Sequence, residues 1–249
     1  MDSVVERLGF FDFFNLIIVG IFTIVGCFGI TYQFNLNITN EVFTYLKDTA
    51  AVNTLFLVLS ISSIITVSYI IGLLCLVVFN LIEKKTKTYE NLIQGLFTKK
   101  SCIENEKKRI QYAKLAKIVF ENNKIQYKPK EDDPTGLEWD LDLSNYFFAY
   151  CLYQLQIRGL NKKPEKLRDI EGLAKSFCIS SVLLLAVLIG VGEAYWNTFL
   201  LPDIIFFIEF VLLIVIFVLF ILYRINVLEN RIRMTLALYE AVYIKDLNP

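Results

Sequence analysis

The chain has 249 residues, 25 basic and 25 acidic side chains, and no histidine. The missing imidazole excludes Ser-His triads, His–metal sites and histidine acid–base chemistry. No phosphate loop, Gly-x-Gly-x-x-Gly or Cys-x-x-Cys takes its place, so neither an enzyme nor a bound cofactor or metal is expected.

Hydrophobic residues make up 55% of the chain, and their placement sets the class. The N-terminus carries Asp2, Glu6 and Asp12 against Arg7. It lacks the basic start and small-residue cleavage site of a signal peptide, so the first apolar segment is expected to stay. Residues 13–40 contain no charge, and neither do residues 49–82. A third apolar run covers 176–192, extending past Glu193 towards Leu200, and a fourth covers 204–223 with Glu209 as its one charge. A bilayer crossing takes about 20 mostly apolar residues, so four transmembrane helices are expected.

Within these spans, Gly20, Gly26 and Gly29 read as close-packing sites. The second span carries Ser60, Ser62, Ser63, Thr66, Ser68 and Tyr69, with Ser62, Thr66 and Tyr69 on one helical face. That row is suited to line a hydrated path, and equally to pack helices and bond backbone carbonyls. Glu209 is either a pore-lining or inter-helix polar contact, or a group that snorkels or neutralises near the headgroups. Glu193, nearer the outer boundary, presents the same choice. Tyr195 and Trp196 stand where an interfacial anchor is useful.

Residues 83–175 hold 19 of the 25 Lys and Arg residues. Short translocated loops avoid these residues, so this segment and both termini are expected on the cytoplasmic side of the membrane. Here Leu92, Ile93 and Leu96 continue the second helix. An amphipathic helix is expected over 103–123, a loop over 128–136, and a short strand or extended arm over 137–143. Ser144 or Asn145 could cap a helix running to Arg158 with an aromatic face of Tyr146, Phe147, Tyr150 and Tyr153. Gly159 ends it, and a short helix after Pro164 leads into the third span. Lys107, Lys108, Arg109, Lys114 and Lys117 form one basic cluster, and Lys162, Lys163, Lys166 and Arg168 another. They suit an anionic nucleotide or oligonucleotide ligand, or are a solvated face with positive-inside bias. Asp132 with Asp133, and Asp140 with Asp142, are acidic pairs in polar surroundings.

Residues 203–245 contain neither Gly nor Pro. A single helix is expected there, with Ile225, Leu228, Ile232, Leu236, Tyr239 and Tyr243 as a stripe that must bury itself against the central segment or against other copies. The expected fold is therefore an all-α integral membrane protein. Residues 1–82 form an interfacial segment and two spans, 83–175 a mainly helical cytoplasmic domain, 176–223 two more spans, and 224–249 a cytoplasmic helix. Cys27, Cys75 and Cys178 fall in spans and Cys102 and Cys151 in the central segment, so no outer disulfide framework of the tetraspanin, claudin or connexin kind is expected.

Four spans, an internal soluble insertion, a short acidic-aromatic start (residues 4–15) and a helical tail resemble the small multi-pass membrane proteins of bacterial anti-phage systems. The plan is similar to the HalA-type membrane effector of Hailong systems, and secondarily to the membrane subunit of Kiwa. The first resemblance implies a homotetrameric channel whose cytoplasmic face binds a nucleotide-derived ligand. The second implies a membrane sensor holding a soluble nucleic-acid-binding partner. The leading expectation is an ion path around which the first and second helices stand, gated through the long fourth helix. The alternative is a non-conducting scaffold or sensor that recruits a cytoplasmic partner protein.

Overall fold

A computed structural model describes residues 10–33, 44, 54–98, 106–129, 136–195 and 202–247. The described elements are helices: α1 (Phe10–Gln33), α2 (Thr54–Thr86), α3 (Thr88–Thr98), α4 (Glu106–Asn122), α5 (Leu141–Ile157), α6 (Lys162–Tyr195) and α7 (Pro202–Leu247). Four of them, α1, α2, α6 and α7, are long and apolar enough to cross a bilayer, which makes this a multi-pass membrane protein by length and composition. The chain divides into two compact units, Met1–Leu81 with Glu171–Arg224, and Ile82–Ile170 with Ile225–Pro249.

The first unit is an up–down–up–down arrangement of four helix segments. Gly20 of α1 lies against the backbone of Ser68 of α2, and Gly72 of α2 against the backbone of Leu16. The reciprocal order makes these two helices antiparallel, and the missing side chains let their backbones meet, as small residues do in membrane packing. Gly26 faces the Leu184 side chain of α6, 2.7 Å from where a Cβ would stand. A Cβ at Gly29 would meet nothing within 4 Å among the described residues, so among them it is not the packing site that its place in the series had indicated. Ile30, Leu184, Leu188 and Leu213 form a buried cluster joining α1, α6 and α7. The rings of Phe177 and Phe220 stack with centroids 4.6 Å apart.

Outside this seam the unit exposes large apolar side chains, among them Val58, Leu59, Ile61, Ile64 and Leu74 on α2, and Phe207, Ile208, Leu212 and Leu219 on α7. In water such a surface would be strongly unfavourable; in hydrocarbon it is the compatible one.

The second unit has the opposite construction. Its core joins Ile93 and Phe97 of α3, Tyr112, Ala113, Ala116, Val119 and Phe120 of α4, Phe147, Phe148 and Cys151 of α5, and Leu228, Ile232, Leu236 and Tyr239 of α7. The α7 stripe therefore buries itself against the central segment of its own chain. Phe97 stacks on Trp139 at 4.3 Å, and Phe120 lies edge-on to Phe147 at 6.3 Å.

Local chemistry explains the helix ends. Asp140 is the N-cap of α5, its carboxylate accepting from the Leu143 N–H at 2.7 Å. The cap therefore falls four residues before Ser144, and the extended arm expected over 137–143 becomes in part the first turn of a helix. A carboxylate caps the orphan N–H groups as well as a hydroxyl does and also meets the positive helix end. At the other end Gly159, with φ of +67°, donates to Gln156 O while Leu160 donates to Leu155 O, a paired arrangement that closes α5. The same pairing closes α4 with a lysine, Lys124, at φ of +57°.

Pro164 does not begin a separate short helix. It lies in the first turn of α6, where its missing N–H has no intrahelical partner to lose, and α6 runs unbroken to Tyr195. The 46 residues of α7 form one helix, about 69 Å at 1.5 Å per residue.

Candidate intramembrane polar site and basic surface

The first unit sorts its polar side chains into two groups, those used within the chain and those left facing outward. Thr23 of α1 and Ser180 of α6 share a 2.6 Å hydrogen bond, and Thr23 also donates to Val19 O at 2.8 Å. A hydroxyl has one proton, so Ser180 donates to Thr23. Ser68 is fully buried where α2 meets Gly20. These groups lock α1 between α2 and α6, with Thr23 of α1 turned inward.

The outward group lies on α2. Ser62, Ser63 and Thr66 are exposed; Ser63 donates to Leu59 O at 2.8 Å and Thr66 to Ser62 O at 2.9 Å. Thr66 stands about 160° round the helix from Ser68, at 100° per residue, so this row leaves the buried seam. Tyr69, in the same row, is half-covered by the ring of Phe13 at 5.1 Å. Ser62 and Thr66 therefore share an open face, and Tyr69 marks its edge against α1.

Glu209 of α7 is half-buried, and one of its carboxyl oxygens is buried without a hydrogen-bond partner among the described residues. Glu193, near the end of α6, is exposed. Because the helices alternate in direction, the start of α2, the start of α7 and the end of α6 lie at one end of the bundle. Glu209 lies nearer that end than the hydroxyl row: the Ser68–Gly20, Thr23–Ser180 and Phe177–Phe220 contacts set Ser68 about level with Phe220, eleven residues beyond Glu209. Both α2 and α7 turn most of their apolar surface outward.

A third polar feature lies at the other end of the bundle, and sequence reasoning missed it. Glu171, Arg224 and Lys175 come together there: Glu171 is 1% exposed and Arg224 4%. Lys175 Nζ is 3.0 Å from the Glu171 carboxylate, and Arg224 Nε is 4.0 Å from it. The guanidinium also sits 5.0 Å over the Phe79 ring of α2. Each of these charges flanks an apolar run and reads as an ordinary positive-inside or solvated residue. Only the packing of α2, α6 and α7 makes them one buried group.

In the second unit the basic residues separate by helix. Lys107, Lys108 and Arg109 belong to the first turn of α4, and their side chains lie outside the described residues. Lys114 is exposed, and Lys117 is half-buried with its ammonium beside the Cα of Gly136. Lys162 and Lys163 are exposed in the first turn of α6, while Arg168 is 3.6 Å from its neighbour Asp169. Of the acidic pairs, Asp140 is committed as a helix cap, and Asp132 and Asp133 lie outside the described residues. Trp196 and Cys102 do as well. Inside the core, burial pushes the Cys151 thiol well above its usual value. Burial, then the charge and hydrogen bond of Glu240, push the Tyr112 phenol up to about 12. Both groups are neutral structural members at physiological pH.

No protein-family model matches the chain, and no curated protein or solved structure matches it.

Proposed function

We propose that this protein is an oligomeric membrane effector that conducts ions and is gated by an anionic, nucleotide-like or oligonucleotide ligand on its cytoplasmic side. The supporting observation is the division of polar groups in the first unit. Thr23 and Ser180 satisfy each other inside the chain, whereas Ser62, Ser63 and Thr66 of α2 face outward and Glu209 of α7 keeps a buried oxygen unpartnered. Ionisable groups in a span are costly unless they meet protein or water. Neighbouring copies around a hydrated axis supply both. In this arrangement α2 and α7 border the path, and α1, placed at the axis by sequence reasoning, serves as a packing helix of the bundle.

The excess of Lys and Arg in residues 83–175 supports an inner-membrane protein with both termini and the second unit in the cytoplasm. Lys114 and Lys117, with the neighbouring Lys107, Lys108 and Arg109, offer the ligand a basic helix. Because α7 contributes to both the Phe177–Phe220 contact and the aromatic core, it is the element through which occupancy reaches the spans. The resemblance in plan to anti-phage effectors places such a channel in bacterial defence, where opening it would depolarise the cell.

Flux of ions from liposomes containing purified full-length protein tests this function. Expected is a conductance that responds to oligonucleotides and is changed by Glu209→Gln. Sealed liposomes under every ligand and voltage condition would leave the non-conducting scaffold, which draws support from an exposed apolar stripe on α5.

A further inference from the structure

The helix α5 is buried on one side only. Phe147, Phe148, Cys151 and Leu155 enter the core, whereas Tyr146 is 38% exposed, Tyr153 60% and Ile157 63%, with Leu160 just beyond the helix at 45%. Asp142, Tyr146, Tyr153 and Ile157 fall within about 60° of one another at 100° per residue, so the exposed side chains form a stripe. A soluble face of this kind needs an occupant. The charges at its two ends indicate which. At one end Glu138, Asp140 and Asp142 are exposed; at the other, Lys162 and Lys163 are. Tyr153 lies between Tyr146 and Ile157 in the stripe and is one of its two most exposed residues. A patch that is apolar at its centre, acidic at one end and basic at the other is complementary to itself under a two-fold rotation.

We infer that the α5 stripe is a self-association surface, on which two copies of this chain pair antiparallel about Tyr153. The acidic end of each then meets Lys162 and Lys163 of the other. This deepens the oligomeric part of the proposed function, on which it rests. It assigns the second basic cluster to the partner copy's carboxylates and leaves the α4 lysines to the ligand. Tyr146 and Tyr153 supply rigid, amphipathic contact area of the kind enriched at interface centres.

The test uses full-length protein in vesicles of native lipid and a short bis-maleimide. Tyr153→Cys is expected to give a cross-linked dimer that wild type, and Asn122→Cys on exposed α4, do not. Added to Tyr153→Cys, Asp142→Lys should lower dimer yield roughly five-fold, as should the pair Lys162→Glu and Lys163→Glu, while all three changes together restore it. The inference is overturned by absence of the dimer, by failure of the combined charge swap to restore it, or by cross-linking to a different protein only. Burial of position 153 in lipid without a dimer overturns it too. Flux measured on the same variants separates the two proposals. Dimer without conductance removes the channel and keeps the surface; conductance without dimer does the reverse.

Discussion

In the first unit, Thr23, Ser68, Ser180 and the Glu171–Arg224 pair are buried while valines, leucines and phenylalanines of α2 and α7 face out. The second unit buries Phe97, Phe120, Trp139 and Phe147 and exposes Lys114, Glu121, Asp142 and Lys162. The contrast teaches that one helix, α7, can serve two oppositely built units in succession. Its first part is stabilised by packing and scarce polar contacts, because lipid gives no hydrophobic drive between helices. Its last part buries Leu228, Ile232, Leu236 and Tyr239 in an apolar core.

Four substitutions sharpen the contrast, from the largest effect to the smallest. Arg224→Ala takes the guanidinium from the buried Glu171 carboxylate, which keeps Lys175 beside it, and should destabilise the first unit by about 3–5 kcal/mol. The double change Glu171→Leu with Arg224→Met, which also takes that carboxylate from Lys175, should cost less than the single change. Denaturant titration of detergent-solubilised protein checks both, and a double variant as unstable as the single would show that the ion group itself is needed. Phe120→Ala opens a cavity among Trp139, Tyr127, Tyr146 and Phe147 at a comparable cost, about 3–5 kcal/mol. Hydrogen exchange should localise that loss to α3–α5 and the last part of α7. Exchange rising equally in α1 would mean that the units do not respond separately.

Gly20→Ala puts a methyl against the Ser68 backbone and should cost about 1–3 kcal/mol, read as a lower midpoint of thermal aggregation. Gly29→Ala, with no neighbour within 4 Å among the described residues, is the control that should leave the midpoint unchanged. Thr23→Val removes the Ser180 partner and should cost only about 0.6–1.7 kcal/mol, the range for hydrogen bonds between membrane helices. A change as large as that of Arg224→Ala would assign the hydroxyl pair a larger part in holding α1 than its single bond provides.

Much of the architecture was legible in the chain. The four charge-poor runs, the Gly- and Pro-free stretch ending in α7 and the amphipathic pattern of α4 all became helices, because periodicity and length are local properties. The errors lay where two local signals competed. Asp140 took the cap that Ser144 could have supplied, and Pro164 was absorbed into α6 because a first-turn proline costs no hydrogen bond. The aromatic face read on α5 was split, Phe147 inward and Tyr146 and Tyr153 outward, since Phe147 stands about 100–120° round the helix from those two at 100° per residue.

Sequence alone settled that α1, α2, α6 and α7 are long and apolar enough to cross a bilayer, because that is a matter of counting residues between charges. It also marked Glu209 as an unusual residue, and one of its carboxyl oxygens is buried without a hydrogen-bond partner among the described residues. Tertiary packing decided that Gly20 and Gly72 face backbones, that Thr23 meets Ser180, and that Glu171 meets Arg224 across more than fifty residues of chain. A side chain's neighbours in space depend on helix rotation and crossing, and the order of residues along one helix does not fix either.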